Sequence, residues 1–403
     1  MQNTPNANRL HIAMFGRTNS GKSSLINALT GQNLAIVSSV PGTTTDPVSK
    51  AMEILPIGPV LLIDTAGLDD YTELGRLRVQ KSMEVLNKVD VALIVVDMSA
   101  ENDLQVEDIL ATMLKEKQIP YLLVVNKVDL PQQEIGKLSW LSERKNIVKV
   151  SASQNIGIEE LKRAIIDIAA DKIQDLGLLE DLIQANDTVL LVTPIDSAAP
   201  KGRMILPQMQ VLRDILDRDA VAVVAKEHQL RAALDKLQAP PKLVITDSQV
   251  FKAVDAMLPA DVPLTSFSIL FARQKGDLQE LMEGAKAIER LKNGDKILVA
   301  EACTHYRTHE DIGTVKIPAM LQKYTGCKLD FTHTVGFDFA NDLSAYALVV
   351  HCGACMINRA NMLSRMASAK AQGVPMVNYG MLIAYVNGIL AKSLKPFIIN
   401  EYK

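Results

Sequence analysis

The 403-residue chain lacks a basic segment followed by an apolar stretch at its start, and it lacks any apolar run long enough to cross a bilayer. A soluble, cytoplasmic protein with no membrane partner is expected. It lacks a charge excess as well: 43 Lys and Arg against 46 Asp and Glu leave a net charge of −3. A protein that lives mainly on nucleic acid usually carries a basic surplus, so no nucleic-acid partner is expected. Cysteine is scarce and confined. Cys303, Cys327, Cys352 and Cys355 are all there is, and all lie in the last quarter. In a long cytosolic chain such cysteines favour ligands or core residues over disulfides. Short repeats and low-complexity segments are absent. What is present is apolar substance, 48% of residues, in a chain too long for one ordinary domain.

The hydrophobic pattern divides the chain into α/β units. Residues 10–16, 60–67, 89–97, 121–129 and 146–152 are short β-rich apolar runs of the kind buried on both faces of a parallel sheet. A helical pattern at 21–31 follows the first, and an amphipathic helix at 158–174 closes the unit. A second series begins near Asp187. Strands are expected at 187–195, 221–227, 242–247 and 263–269, with helices at 208–220, 228–237 and 248–258, a small parallel sheet. A third starts near Lys275, with strands at 295–303, 327–336, 346–353 and 374–380 and helices at 277–291, 316–326 and 358–373. The expected domains are 1–174, 180–270 and 275–403.

Gly16-Arg17-Thr18-Asn19-Ser20-Gly21-Lys22-Ser23 fits G-x-x-x-x-G-K-S between a strand and a helix, with Ser24 next. Freed N–H groups and the helix N-terminus favour phosphate there. Lys22 would reach the β- and γ-phosphates, and Ser23 would ligate Mg2+. Asp64-Thr65-Ala66-Gly67 follows the next apolar strand. Asp64 would hold the magnesium shell, and the Gly67 N–H would meet the γ-phosphate. Asn126-Lys127-Val128-Asp129 follows another strand. The Asp129 carboxylate can accept two hydrogen bonds from a guanine edge, which adenine cannot supply, so the motif selects GTP over ATP. Ser151-Ala152-Ser153 resembles the loop whose backbone N–H contacts the base oxygen. Four motifs in order, each beside a strand, exclude a chance Gly-rich turn and imply a P-loop GTPase domain.

Residues 39–46 resemble switch I of translation-factor-class GTPases, with Thr44 as the switch threonine for Mg2+ and γ-phosphate, and Thr43 and Thr45 as neighbouring alternatives. Leu68 stands where Ras-like proteins carry a water-positioning glutamine. A leucine cannot orient water, so slow, regulatory hydrolysis is expected. Asn19 stands where potassium-activated GTPases of the tRNA-modification type carry asparagine. That resemblance suggests K+ in the place of an arginine finger, and a purely loop-stabilising Asn19 is the other reading. Glu73, in the switch II region, reads as a solvated glutamate rather than a water-orienting one.

Cys303-Thr304-His305 ends one expected strand of the third unit, and His351-Cys352-Gly353-Ala354-Cys355 ends another. Carboxyl ends of parallel strands are where ligands bind in open α/β sheets. Cys352 and Cys355 have C-x-x-C spacing, and Gly353 is expected to relieve crowding in the turn. Structural zinc, an iron–sulfur cluster with three cysteines, a redox dithiol and plain buried thiols all remain open. Cys327 reads as a packed core thiol, and His309 and His333 as second-rank neighbours.

A GTPase domain, a small βα domain and a C-terminal domain with C-x-H and H-C-x-x-C together resemble the FeFe-hydrogenase maturation GTPases, the HydF family. The likeness covers essentially the whole chain. The loop Pro194–Arg203 with Leu206-Pro207-Gln208 is similar to that family's middle-domain signature. The resemblance implies a 4Fe–4S cluster on Cys303, Cys352 and Cys355, with His305 and His351 as candidate fourth ligands. It further implies a homodimer built on the middle domain. It also implies a di-iron precursor made with two radical-SAM maturases and delivered to apo FeFe-hydrogenase, with GTP gating partner contacts. The runner-up reading is a tRNA-modification or ribosome-associated GTPase with a structural zinc domain.

Overall fold

The computed structural model describes residues 4–31, 48–69, 73–100, 103–131, 144–173, 177–194, 204–302, 311–336 and 339–398. Thr44 and the rest of switch I, Cys303, His305, His309 and the loop 195–203 lie outside the described residues. The chain forms two compact units, residues 1–175 and 176–403.

The first unit holds β1 (Leu10–Phe15), α1 (Lys22–Thr30), β2 (Val48–Ile54), β3 (Gly58–Asp64), α2 (Glu73–Val85), β4 (Val91–Asp97), α3 (Gln105–Glu116), β5 (Tyr121–Asn126), β6 (Ile147–Lys149) and α4 (Ile158–Ile173). The sheet order is β2-β3-β1-β4-β5-β6. Every pairing is parallel except β2 with β3. Alternate residues of β1 serve opposite cores. Ile12 and Met14 pack with Leu25, Leu29 and Leu161 on one face, whereas Ala13 and Phe15 pack with Ile63, Ile94 and Leu110 on the other. Coverage on both faces is why the inner strands read as unbroken apolar runs. β2 is an antiparallel edge strand with four of its seven residues solvent-exposed, and the pattern-based reading does not register it.

The second unit carries two four-stranded parallel sheets. One contains β7 (Thr188–Val192), β8 (Val221–Ala225), β9 (Leu243–Thr246) and β10 (Leu264–Ser266), in the order β10-β9-β7-β8. Its helices are α5 (Leu206–Asp217), α6 (Leu230–Asp235) and α7 (Phe251–Met257). The other contains β11 (Lys296–Glu301), β12 (Asp330–Val335), β13 (Leu348–His351) and β14 (Met376–Asn378), in the order β12-β11-β13-β14. Both sheets therefore repeat one topology, with a reversal of winding between the first and third strand. The helix α8 (Phe267–Lys275) follows β10 directly. The strand expected over 263–269 ends early because the Ser266 hydroxyl accepts the Ile269 N–H and starts this helix. The remaining helices are α9 (Leu278–Lys286), α10 (Ile317–Thr325), α11 (Arg359–Ala371), α12 (Tyr379–Val386) and α13 (Leu390–Ile398). One continuous core, from Leu178 to Phe397, joins the two sheets. Among the described residues, no helix is long and apolar enough to cross a membrane.

Candidate nucleotide site and cysteine loop

The loop from β1 to α1 closes around its own lysine. Lys22 is buried, and its Nζ donates to the carbonyls of Gly16 (3.0 Å) and Arg17 (2.7 Å). Gly21 has φ 94°, and a Cβ there would lie 2.1 Å from Asn126 Nδ2, so only glycine fits. Asn19, at φ 61°, occupies the left-handed region that asparagine tolerates better than most residues. Ser24 lies in the first turn of α1. Ser23 Oγ donates to Asp64 Oδ2 at 2.5 Å. Asp64 Oδ1 is buried and has no hydrogen-bond partner among the described residues. An orphaned carboxylate oxygen beside a serine hydroxyl is a hard oxygen donor set of the kind Mg2+ takes. Burial raises the Asp64 pKa, with Ser23 and Lys22 opposing.

Burial pushes the Lys22 ammonium down to about 8, against the charges of Asp64, Asp69 and Glu107. Bound phosphate favours the charged form, so above that pH binding must take up a proton. Nucleotide affinity is expected to be flat below about pH 8 and to fall by up to about tenfold per unit above it. Titration calorimetry with GDP across this range checks the sign, and a profile that stays flat above it contradicts it.

The base-reading side is tied to the phosphate side through Asn126. Its Nδ2 donates to Ser20 O (2.9 Å), and its Oδ1 accepts the Ala152 N–H (3.2 Å). Lys127, at φ 62°, pairs with Asp97 at 2.6 Å. Asp129 is exposed, and Ser153 Oγ donates to its Oδ2 at 3.3 Å. Hydrogen bonding from Ser151, with smaller help from Ser153 and Lys127, holds the Asp129 carboxyl below its ordinary range, so it stays an ionised acceptor.

Sequence reasoning missed one contact here. Thr18 donates to Asp69 Oδ1 from its backbone N (2.6 Å) and its hydroxyl (2.8 Å). Leu68 N donates to Gly16 O (3.2 Å), and a Cβ on Gly67 would lie 2.1 Å from Thr18 Oγ1. The start of switch II thus lies directly on the phosphate loop. Leu68 itself is half-buried and packs against the core of Phe15 and Ile63. Glu73 opens α2.

In the second unit, β11 and β13 are neighbours, with Ala300 opposite His351. Cys352 N donates to Ala300 O (2.9 Å), and Ala302 N donates to Cys352 Sγ (3.1 Å). Ala302 immediately precedes Cys303 in the chain. These ends flank the reversal of winding, where open α/β sheets bind ligands. Among the described residues, a Cβ on Gly353 would meet Ser268 Oγ alone, at an ordinary 3.7 Å. The left-handed residue of the turn is Ala354, at φ 56°. Burial pushes the Cys352 thiol up to about 11 and also raises Cys355. The metal-free loop therefore holds protonated thiols, unlike the low-pKa attacking thiol of a redox dithiol. Cys352, buried, and Cys355, half-buried, are soft donors of the kind a thiophilic metal takes.

His351, at the end of β13, has partners of its own. Its ring is fully buried, Nδ1 donates to Cys352 O (2.8 Å) and Nε2 accepts from Arg365 (3.0 Å). Burial, then the Arg365 charge, pushes it down to about 3. Both ring nitrogens are engaged in this arrangement. Cys327 packs against the core and donates weakly to Leu291 O (3.5 Å), and His333 contacts Gly313 O (3.3 Å).

Comparison with known proteins assigns the parts. Residues 11–127 match the model described as 50S ribosome-binding GTPase. Residues 178–276 match the hydrogen maturase F dimerization domain, and residues 279–396 match the hydrogen maturase F tetramerization domain. The last two together span more than half of the chain. The chain belongs to the hydrogen maturase F family. Its first unit is a GTPase domain of the P-loop kind, followed by the family's two oligomerization domains.

Curated relatives match over the GTPase part. The tRNA modification GTPase MnmE of Thermoanaerobacter sp. (strain X514) is 40% identical over 182 residues, 44% of this chain and 38% of that protein. MnmE of Clostridioides difficile (strain 630) is 39% identical over 159 residues, 39% of this chain and 34% of that protein. The chain thus spans under two-fifths of the length of these relatives. The likeness to MnmE covers little beyond the GTPase part, whereas the maturase F domains occupy residues 178–276 and 279–396. Among solved structures, a single-residue variant of Aquifex aeolicus Era bound to GDP.AlF4- is 20% identical, covers 61% of this chain and 97% of that one, and has a TM-score of 0.36. The G domain of the T. maritima FeoB iron transporter is 25% identical, covers 40% and 99%, and has a TM-score of 0.31. Likeness that slight adds nothing to the family assignment.

Proposed function

We propose that this maturase F chain is a GTP-gated scaffold and carrier. It would hold a 4Fe–4S cluster on Cys303, Cys352 and Cys355 and deliver a di-iron precursor to apo FeFe-hydrogenase. The observation that carries the reading is the Ala302 N–H on Cys352 Sγ, which brings the end of β11, one peptide before Cys303, onto the C-x-x-C loop after β13. When bound, the cluster supplies an iron with an exchangeable position, suited to a cargo that must leave. His305 is the histidine proposed for that position. The residues hold, orient and release.

In the GTPase unit, Lys22 would stabilise the β- and γ-phosphates, and Ser23 with Thr44 would hold Mg2+, which neutralises phosphate charge. Gly67 would offer its N–H to the γ-phosphate, and Asp129 would read the guanine. With Leu68 packed against the core, no polar side chain at that position orients water, and hydrolysis is slow and regulatory. Asn19 would help hold K+ near the phosphates. The partners are the two radical-SAM maturases and the apo-hydrogenase, met in the cytoplasm.

A homodimer is supported by β8. It is an edge strand, and Val221 and Val224 are 53% and 45% exposed. Met209 and Leu216 of α5 are exposed as well. Unpaired apolar edges seek a second strand. Val224→Lys is expected to weaken dimerisation by roughly tenfold or more, read by analytical ultracentrifugation. An unchanged dissociation constant would move the interface elsewhere.

The functional reading is tested by activation. The chain is incubated anaerobically with both radical-SAM maturases, re-isolated and mixed with apo FeFe-hydrogenase. Hydrogen evolution is expected only with the re-isolated chain. Activation by the maturases alone, or none with the chain, overturns the carrier role.

A further inference from the structure

The cysteine loop is held by a residue from the other sheet's domain. α8 leaves β10 and is buried almost all round: Phe267, Ile269, Leu270, Phe271 and Ala272 are core residues. At its last position, inside this apolar setting, stands Lys275, only 5% exposed. Its Nζ donates to Ala354 O (3.0 Å) and Ile357 O (2.7 Å), the carbonyls on either side of Cys355. It also lies 5.6 Å from the centre of the Phe271 ring. Its charge acts on the Cys355 thiol. Lys275 falls within the dimerization-domain match, and the loop that it grips falls within the tetramerization-domain match. The other end of α8 is pinned to the same sheet, where Ser268 Oγ accepts from Gly380 N (3.2 Å) and Asn378 Nδ2 (3.2 Å).

Cys355 sits between the two carbonyls that Lys275 holds, so the ammonium lies beside the turn that would carry two ligating thiolates. We propose that Lys275 is a positioning residue of the cluster site, which fixes the loop of Cys352 and Cys355 and offsets the charge of the metal-bound thiolates. Two effects follow. The cluster is retained more firmly, and it accepts an electron at a higher potential than it would without the ammonium. The inference rests on the reading of Cys303, Cys352 and Cys355 as cluster ligands.

The test compares wild type with K275R, K275Q and K275M after anaerobic reconstitution with iron and sulfide. Glutamine keeps a donor for the carbonyls and removes the charge, whereas arginine keeps the charge. Two quantities are read: the midpoint of the one-electron couple by EPR-monitored titration, and the rate of iron loss to a chelator. K275Q is expected to bind iron with a midpoint shifted to more negative values and to lose iron about tenfold faster. K275R is expected to stay near wild type in both. If K275M does not fold, K275Q and K275R still carry the comparison. A K275Q protein with the wild-type midpoint and release rate overturns the role of Lys275. A wild-type protein that takes up no iron is a different failure, because it removes the cysteine reading itself.

Discussion

An Asp129→Asn chain is expected to bind xanthosine triphosphate in preference to GTP. The ionised Asp129 carboxylate has two acceptor oxygens for the guanine N1–H and N2–H groups. Hydrogen bonds from Ser151 and Ser153 keep it charged. An asparagine side chain offers one acceptor and one donor, which complements a base with a carbonyl at that edge. Loss of a charge-assisted pair of hydrogen bonds should weaken GTP binding by about a hundredfold or more. The frame of the site should persist, because Asn126, not Asp129, bridges Ser20 and Ala152. Competition of labelled nucleotide by GTP and XTP measures the preference. Unchanged selectivity would mean that another group reads the base.

Replacing Cys303, Cys352 or Cys355 by serine is expected to leave GTP hydrolysis intact and to abolish hydrogenase activation, with bound iron reduced at least about tenfold. The chemistry of the donor drives the expectation. A serine at position 352 could still accept the Ala302 N–H, so the strand ends stay together, but a hydroxyl is a poor ligand for iron. Hydrolysis should survive because the nucleotide residues belong to a separate compact unit with its own cores. Iron analysis, GTPase rate and activation are measured on the same preparation. Activation surviving all three changes would remove the cluster from the account. A parallel loss of GTPase rate would show that the units depend on each other.

Much of the nucleotide site was legible because its residues are local. Each motif follows or precedes an apolar strand, and β1, β4 and β5 announce themselves by burial on both faces. β2 does not, since most of that edge strand faces solvent. The contact of Thr18 with Asp69 bridges fifty-one positions and leaves no local pattern. In the cysteine region, the strand ends were readable, but three details required the fold. His351 turns its ring to Arg365 on α11, fourteen positions away. The backbone strain of the turn falls on Ala354 rather than Gly353. Lys275 looks like any solvated lysine at a helix end, and only the packing of α8 shows it buried seventy-nine positions from the carbonyl that it holds. Hydrophobic periodicity reports which residues are inside, not which polar groups join them there.

The metal that Cys303, Cys352 and Cys355 hold decides whether the chain is a cluster carrier. Iron, sulfide and zinc should be quantified in the chain purified and reconstituted under anaerobic conditions, with a Mössbauer spectrum of the same sample. The prediction is about four iron and four sulfide per chain, in a brown protein with the spectrum of a 4Fe–4S cluster. A colourless protein with one tightly held zinc, and no iron after reconstitution, would contradict it.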